Sequence, residues 1–526
     1  MPEEALKNVV ETACGCLSGT VRRGIHIFKG IPYGDSTAGE HRFLPARQPK
    51  PWDGIRKAEN FGPRAPQQKE DPYRALPWRS WIRSDQPMDE SCLFLNVFTP
   101  GLHDGTKRPV LFYIHGGGFN KGSGCAPGTD GTNLAERGDM VVVTVNHRLN
   151  VLGHLYLGDE GKYADSCNNG VLDLIAALTW VRENISAFGG NPNNVTISGN
   201  SGGGSKVAIL MGSPRAKGLF HKAIIQSASS LLHMATLDEA KRCSDELLTE
   251  LGIGRNQLEQ LKSVPLDVLM SAMRKVSAVA GNFFRPVVDG RTLLDHPFTS
   301  RSLSQNPEMP LMMGTCEDEM TFPLGTDPTN FRLTDAEAHK RIRDYVGIND
   351  VVTEHLYAGW KKNHPTASPS DIMFSILSDY QYRRSQIRAA EARASLNAGP
   401  VFMYLFTWKT KMEGGQLKTP HTMCLAFSFG NVDVAAGLLG TGPDVDALAT
   451  RVMDAWIAFA KSGDPNHRDI PLWRPYSELE RSTMIFDNEC IAVGDPKSRD
   501  RLMLDQLPLF VPVDCRPKCQ MQFPDV

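Results

Sequence analysis

The sequence predicts an α/β fold, with a large and mostly parallel central sheet flanked by helices, and three observations lead to that prediction. Short runs rich in branched apolar residues, typical of buried strands, recur along the chain. Segments of helical periodicity separate them, as expected for a parallel sheet with helices on both faces. One of these strands, 195–198, runs into Gly199-Asn200-Ser201-Gly202-Gly203, where glycines flank a single serine at a strand-to-helix turn.

The predicted strands span most of the chain. Edge strands are expected within 16–33, and the segment 40–90, rich in Pro, Trp and charge, is expected to be irregular and on the surface. Buried strands are predicted at 92–98, 109–114, 140–146, 195–198, 222–227, 310–316 and 401–408. Helices are predicted at 172–188 and at 444–462, the second ending at Gly463.

Two polar blocks of helical pattern, at about 234–300 and 333–398, interrupt the series of strands. We interpret them as insertions that form a helical cap over the strand ends. Because no repeat or low-complexity linker divides the chain, residues 1–526 are predicted to form a single catalytic domain.

Composition limits the classes of function. A chain of 526 residues with 41% hydrophobic and 22% charged residues is typical of a soluble globular protein with a large core. A net charge of −2 does not indicate the excess of positive charge that is typical of nucleic-acid-binding proteins. The 11 cysteines are dispersed, without zinc-ligand spacing, so free thiols and no metal are expected.

The ends and apolar runs of the sequence bear on its location. The first residues lack the apolar core of a signal peptide, and no apolar run reaches the roughly 18 residues that indicate a membrane span. We therefore expect a cytoplasmic protein.

Ser201 is the candidate nucleophile. A serine on a sharp strand-to-helix turn projects its hydroxyl clear of the sheet, beside the partly positive end of a helix. The pattern alone is weak, because an ordinary glycine-rich turn produces the same letters. Its context and distant partners strengthen the assignment.

A serine nucleophile needs a base and a carboxylate that orients the base, on loops beyond the carboxyl ends of later strands. The strand 310–316 opens onto Glu317-Asp318-Glu319, and spacing alone does not separate these three acids; two of them are expected to be solvated. The loop after 401–408 carries His421, the histidine that best fits the base. His339, His355, His364 and His467 fall in helical, polar or turn patterns and fit less well.

Acyl transfer also needs donors for a developing oxyanion. The run His115-Gly116-Gly117-Gly118 follows a buried strand, where glycines let backbone N–H groups approach a substrate oxygen. A flexible turn is the alternative interpretation of these glycines, and the serine motif downstream favours the oxyanion hole over it.

These motifs resemble the type B carboxylesterases, the cholinesterase-like branch of the α/β-hydrolases, over nearly the whole chain. The matching segments are 30–33, 92–97, 115–119, 146–149, 180–192, the Ser201 turn, 286–290 and 459–466. The resemblance implies an α/β-hydrolase fold and a serine carboxylesterase that works through an acyl-enzyme intermediate without a cofactor. It also implies the triad Ser201, Glu319 and His421, with oxyanion N–H groups from Gly117, Gly118 and Gly202.

The sequence departs from the family pattern at four positions. Asn200 replaces the usual Glu before the nucleophile, which disfavours choline-like cations and favours a small, uncharged ester substrate. Gly202 replaces the usual Ala, Met320 a glycine after the acid, and Cys424 an acid after the histidine. Trp78 and Trp81 could bind a cation through their rings, although loop tryptophans more often simply pack.

Three alternatives remain at this point. The same triad serves amide or carbamate hydrolysis. A non-catalytic cholinesterase-like binding protein is disfavoured, because all three triad positions are filled. A nucleotide-binding P-loop is suggested by Gly199 to Lys206, but its lysine stands after Ser205 where the motif requires it before.

Overall fold

The computed structural model describes residues 8–68, 76–280 and 284–510. The strands are β1 (Val9–Thr12), β2 (Gly15–Ser18), β3 (Thr20–Arg22), β4 (Ile25–Pro32), β5 (Ile55–Lys57), β6 (Phe94–Thr99), β7 (Arg108–Ile114), β8 (Val141–Val145), β9 (Gly190–Asn200), β10 (Lys222–Gln226), β11 (Leu311–Cys316), β12 (Val401–Phe406), β13 (Ser482–Phe486) and β14 (Ile491–Gly494). All the buried strands expected from the sequence are present.

Helices fill the connections. They are α1 (Thr132–Gly138), α2 (Asn150–His154), α3 (Asn169–Asn184), α4 (Gly202–Gly212), α5 (Leu237–Leu251), α6 (Leu266–Ala280), α7 (Ser300–Leu303), α8 (Thr321–Leu324), α9 (Asp335–Val346), α10 (Asp350–Asn363), α11 (Pro369–Ser378), α12 (Arg384–Ala394), α13 (Met423–Phe429), α14 (Ala436–Leu439), α15 (Pro443–Ser462) and α16 (Ser498–Leu504). No helix of the described residues has the length and apolarity to cross a membrane.

An eleven-stranded sheet forms the centre of the molecule, in the order β14-β13-β12-β11-β10-β9-β7-β8-β6-β4-β3. The seven strands from β13 to β8 are mutually parallel, and antiparallel strands complete both edges. The predicted mostly parallel α/β architecture is therefore confirmed. A separate three-stranded sheet joins β1, β2 and β5.

Alternation along the central strands divides the core between two faces of the sheet. On β7, Val110, Phe112 and Ile114 pack in one apolar cluster with α3 and α4. The intervening Leu111 and Tyr113 pack in a second cluster with α13 and α15. Since successive side chains of a strand point to opposite faces, each central strand is covered on both sides and reads as a continuous apolar run.

The second block predicted to be helical, 333–398, is mostly helical, whereas the first, 234–300, is helical only as far as Ala280, and residues 284–299 contain no helix. The first contains α5 and α6, packed in an apolar cluster with residues of α2. The second contains α9 to α12. Helices α9 to α11 share a cluster with Met320 and with Tyr382 of a π-helical turn, Asp379–Arg383. Helix α12 packs instead in the apolar cluster that contains Val110 and Phe112. Their role as cap insertions of one domain stays a prediction.

The remaining differences from the sequence-based expectations are local. Strands β13 and β14 are not predicted. Strand β14 is a four-residue, largely exposed edge strand with little apolar signal, whereas β13 is buried and pairs in parallel with β12, and the sequence-based prediction missed it. The nine described cysteines are free, and Cys515 and Cys519 lie outside the described residues.

Candidate active site

Ser201 lies at a strained turn between β9 and α4. Its backbone has φ 57° and ψ −127°, a region that residues with a Cβ rarely adopt. The Ser201 N–H donates to the Gln226 carbonyl at 2.8 Å, and its own carbonyl accepts from the Ser205 N–H at 3.1 Å. Strain of this kind persists only where the surroundings enforce it, and it is common at functional sites.

The glycines on either side of Ser201 are required by close backbone packing. A Cβ at Gly199 would lie 2.3 Å from the carbonyl carbon of Gly203, and one at Gly203 would lie 2.1 Å from the Ile114 oxygen. The glycine-serine-glycine pattern therefore reflects a turn pressed between β7 and the start of α4.

His421 is paired with Glu319. The Glu319 side chain is fully buried after β11, and one carboxylate oxygen accepts from the Cys316 N–H at 2.8 Å. The other oxygen accepts from Nδ1 of His421. With its Nδ1 proton directed at the carboxylate, the imidazole keeps an unprotonated Nε2 that can accept a proton.

The structure separates the three consecutive acids. Glu317 is only half-buried, whereas Asp318 is buried and contacts the backbone of Thr419: the Asp318 N–H donates to the Thr419 carbonyl at 3.1 Å, and the carboxylate accepts from the Thr419 N–H at 3.4 Å. Burial, with repulsion from Glu317, raises the pKa of Asp318 to about 7. The expectation that two of the acids are solvated is wrong for Asp318, because this pairing draws it inside.

A cavity of about 360 Å³ contains the candidate reacting groups. Ser201, His421, Gly117 and Gly118 line it. A second histidine, His115, also lines it, but its Nδ1 lies 2.8 Å from the Gly116 carbonyl oxygen and burial lowers its pKa to about 3. Among the described residues His421 is thus the lining histidine that carries a carboxylate partner.

The predicted oxyanion-hole glycines meet beside Ser201. Gly117 and Gly118 have φ values of 89° and 60°, which side chains rarely tolerate, and their N–H groups donate no hydrogen bond among the described residues. The Gly202 N–H is in the first turn of α4, where no intrahelical acceptor exists. A Cβ at Gly202 would lie 2.3 Å from the Gly118 oxygen, so the two backbones are in direct contact. The structure thus brings together all six predicted site residues.

Some site residues are not found by sequence reasoning. The Tyr382 ring lies 4.8 Å from the His421 ring and lines the cavity, but the π-helical turn that places it has no sequence signature. The Gln67 amide pairs with the Gly122 backbone at 2.9 Å on both its donor and acceptor sides, holding the end of the glycine loop. Lys206 could have been noticed in the sequence, because it is a lysine within an apolar helical run. In the structure its ammonium donates to two backbone carbonyls.

The two loop tryptophans pack, as the simpler interpretation held. Trp78 and Trp81 are almost fully buried, and Trp78 contacts Phe322 edge-on with ring centroids 5.2 Å apart. They therefore support the wall behind Phe322, which itself lines the cavity.

A strained serine at a strand-to-helix turn lines one cavity with a carboxylate-paired histidine and with glycines whose N–H groups donate no hydrogen bond among the described residues. On an α/β-hydrolase sheet this arrangement defines a serine hydrolase. The carboxylesterase family model matches residues 6–500, so the chain belongs to the carboxylesterase family.

Relatives and solved structures agree. The chain is 34% identical to para-nitrobenzyl esterase of Bacillus subtilis strain 168 over 94% of this chain and 98% of that protein. It is 33% identical to phenmedipham hydrolase of Pseudarthrobacter oxydans over 93% and 97%. A solved carboxylesterase of Geobacillus stearothermophilus superposes with a TM-score of 0.81 at 37% identity, covering 95% of this chain and 100% of that chain. The protein is a carboxylic ester hydrolase of the serine type.

Proposed function

We propose that the protein hydrolyses small, uncharged carboxylic esters with Ser201 as nucleophile, His421 as general base and acid, and Glu319 as the carboxylate that orients His421. The observation that carries this proposal is the buried His421–Glu319 pair at the edge of a cavity that Ser201 also lines. The N–H groups of Gly117 and Gly118 face no other partner among the described residues, which makes them available to an oxyanion.

In the first half of the reaction, Nε2 of His421 takes the Ser201 proton while Oγ forms a bond to the ester carbonyl carbon. Negative charge develops on the carbonyl oxygen and is stabilised by the N–H groups of Gly117, Gly118 and Gly202. His421 then gives its proton to the alkoxy oxygen, the carbon–oxygen bond breaks, and the alcohol leaves.

In the second half, His421 removes a proton from water as the water oxygen attacks the acyl carbonyl. The tetrahedral intermediate collapses with cleavage of the bond to Ser201 Oγ, which recovers the proton from His421. The carboxylic acid is released. Throughout, the Glu319 carboxylate stabilises the imidazolium form of His421.

The cavity lining disfavours a cationic substrate, because among the described residues it includes four cationic side chains and a single carboxylate: Arg64, Arg79, Arg83, Lys121 and Asp85. Asn200, buried beside Ser201, lines the cavity with a neutral amide where the family usually has a carboxylate. Phe322, Tyr382 and Leu425 add apolar surface next to His421. A cationic alcohol group would find no carboxylate at position 200.

Hydrolysis of carbamates or amides is the second candidate, because the same triad can attack either carbonyl. Similarity to a relative named phenmedipham hydrolase favours testing it. A panel of ester, carbamate and amide substrates of matched size separates the two by their kcat/KM values.

We further propose that the chain forms one catalytic domain with helical cap insertions, and that it is cytoplasmic. Tyr382, from the second helical block, reaches the cavity, which supports a cap there. The nine free cysteines support a reducing compartment.

Ser201→Ala tests the proposal. Hydrolysis of p-nitrophenyl butyrate is expected to fall about 10⁴-fold or more, with loss of the burst of p-nitrophenol. Ser198→Ala is the matched control, because Ser198 is buried on β9, the strand that leads into the Ser201 turn, and its hydroxyl has no partner among the described residues. Near-normal turnover by Ser201→Ala would overturn the assignment.

A further inference from the structure

Lys206 is a buried lysine that the proposed reaction does not use. Its side chain is 1% exposed, and its ammonium donates to the Gly118 carbonyl at 2.8 Å and to the His115 carbonyl at 3.3 Å. The same ammonium lies 5.6 Å from the centre of the Phe119 ring. Its hydrogen-bond partners among the described residues are these two carbonyls, and no carboxylate there pairs with it. An unpaired buried cation is costly, so a compensating role is expected.

The position of Lys206 follows from helix geometry. Lys206 stands four residues after Gly202, so both lie on the same face of α4. Side chains of a helix lean toward its N-terminus, and the lysine therefore reaches back over Gly202 to the glycine loop. Gly202 contacts Gly118 directly, since a Cβ at 202 would lie 2.5 Å from the Gly118 nitrogen. One face of the helix that begins at the nucleophile thus holds this loop at two points.

We propose that Lys206 is a positioning residue for the oxyanion hole: its ammonium holds Gly118 and His115 by their carbonyl oxygens and places a positive charge beside the developing oxyanion. This rests on the proposed function, because it assigns the N–H groups of Gly117 and Gly118 to the substrate oxygen. Fixed donors and charges aimed at an oxyanion act strongly in a site from which water is excluded.

The ionisable groups around Lys206 are His115, His147 and His154, with Arg285 lying 5.8 Å from the ring of Phe119. Burial lowers the pKa of each histidine, so these rings are neutral at pH 7. Burial also lowers the pKa of Lys206 to about 7. The positive charge is therefore present below about pH 7 and is lost as the pH rises, which predicts a falling kcat on the alkaline side.

The test compares Lys206→Met with wild type on p-nitrophenyl butyrate and on a trifluoromethyl ketone, which forms an oxyanion adduct with a serine nucleophile. We expect kcat to fall about 10- to 100-fold, less than the 10²–10³ cost of removing a direct donor. KM should stay within about threefold, and the inhibition constant of the ketone should weaken by the same factor as kcat. Lys222→Met is the matched control. Lys222 is a buried lysine at the start of β10 that donates to Asn194 of β9, away from the cavity.

A second variant guards against misfolding of the first. Lys206→Arg keeps its charge at every working pH, so kcat at pH 9 relative to pH 7 should exceed the wild-type ratio. The proposal is overturned if Lys206→Met keeps wild-type kcat, if Lys222→Met loses as much, or if Lys206→Arg leaves the alkaline fall of kcat unchanged. Organophosphate labelling of wild-type Ser201 tests the proposed function separately. If the proposed function is wrong, Ser201 is not labelled; if only the role of Lys206 is wrong, Ser201 is still labelled.

Discussion

Replacing Glu319 by Gln tests the acid of the triad with almost no change in shape. Glu319 is fully buried, and its two carboxylate oxygens accept two different hydrogens, from the Cys316 N–H and from Nδ1 of His421. A glutamine amide offers one acceptor oxygen and one NH₂ donor. Its single acceptor oxygen can therefore accept from the Cys316 N–H or from Nδ1 of His421, but not from both.

The magnitude follows from the two orientations of the amide. If the oxygen stays on the Cys316 N–H, the NH₂ group faces Nδ1 of His421, and the imidazole must carry its proton on Nε2, where it cannot accept the Ser201 proton. The opposite orientation leaves a buried donor unpaired at about 1–3 kcal/mol, a factor of roughly 5 to 150 in population. Loss of the charge-assisted bond to the imidazolium adds about 1.5–3 kcal/mol. Together these lower kcat by about 10² to 10⁴, similar to the ~10⁴ known for the corresponding change in the serine-protease template.

The assay is steady-state hydrolysis of p-nitrophenyl butyrate, with kcat and KM measured separately and folding checked by thermal melting. Glu317→Gln is the matched control: it makes the same change two residues away, on a half-buried side chain, and should stay within about twofold of wild type. A larger loss for Glu317→Gln than for Glu319→Gln would refute the assignment of the acid. Equal activity of Glu319→Gln and wild type would refute the orienting role altogether.

Two further predictions concern Gly202 and Asp318. In Gly202→Ala the new Cβ would lie 2.3 Å from the Gly118 oxygen, whereas ordinary contact begins at 3.4 Å, so the Gly118 loop must move away by about 1 Å. Because this loop carries the proposed oxyanion donors, kcat should fall about 10²-fold. An unchanged kcat would contradict the close approach of the two backbones. The pKa of Asp318 is raised to about 7 by burial and Glu317, above its ordinary value of 3.8, so the stability that protonated Asp318 provides is lost as the pH rises from about 4 to 7. Urea unfolding measures this loss: across that window the free energy of unfolding of Asp318→Asn should rise relative to that of wild type, by at most roughly 4 kcal/mol. If the variant and wild type differ in stability by the same amount at pH 4.5 and at pH 8, the prediction is contradicted.

The central strands could be predicted from the sequence because parallel strands are buried on both faces. The run 141–145 is entirely buried, and β11 and β12 are found where apolar runs end in polar loops. Those loops carry Glu319 and His421, since the carboxyl ends of parallel strands meet at one edge of the sheet. The exposed strand β14 lacks that pattern, and the sequence does not predict it.

The site was less completely predictable than the sheet. Spacing alone left Glu317, Asp318 and Glu319 equivalent, and only family resemblance selected Glu319. The burial of Asp318 depends on pairing with Thr419, about a hundred residues later, which no local pattern encodes. Lys206 was visible as a lysine in an apolar helix, but its function depends on which loop lies opposite that face.

Covalent labelling tests the central claim most directly, because it reports the reactive serine without assuming a natural substrate. Wild-type protein should bind one equivalent of an organophosphate, with the adduct located by mass spectrometry on Ser201 and hydrolysis lost in proportion. Ser201→Ala should take up none. An adduct on another residue, or inhibition without an adduct at Ser201, would contradict the account.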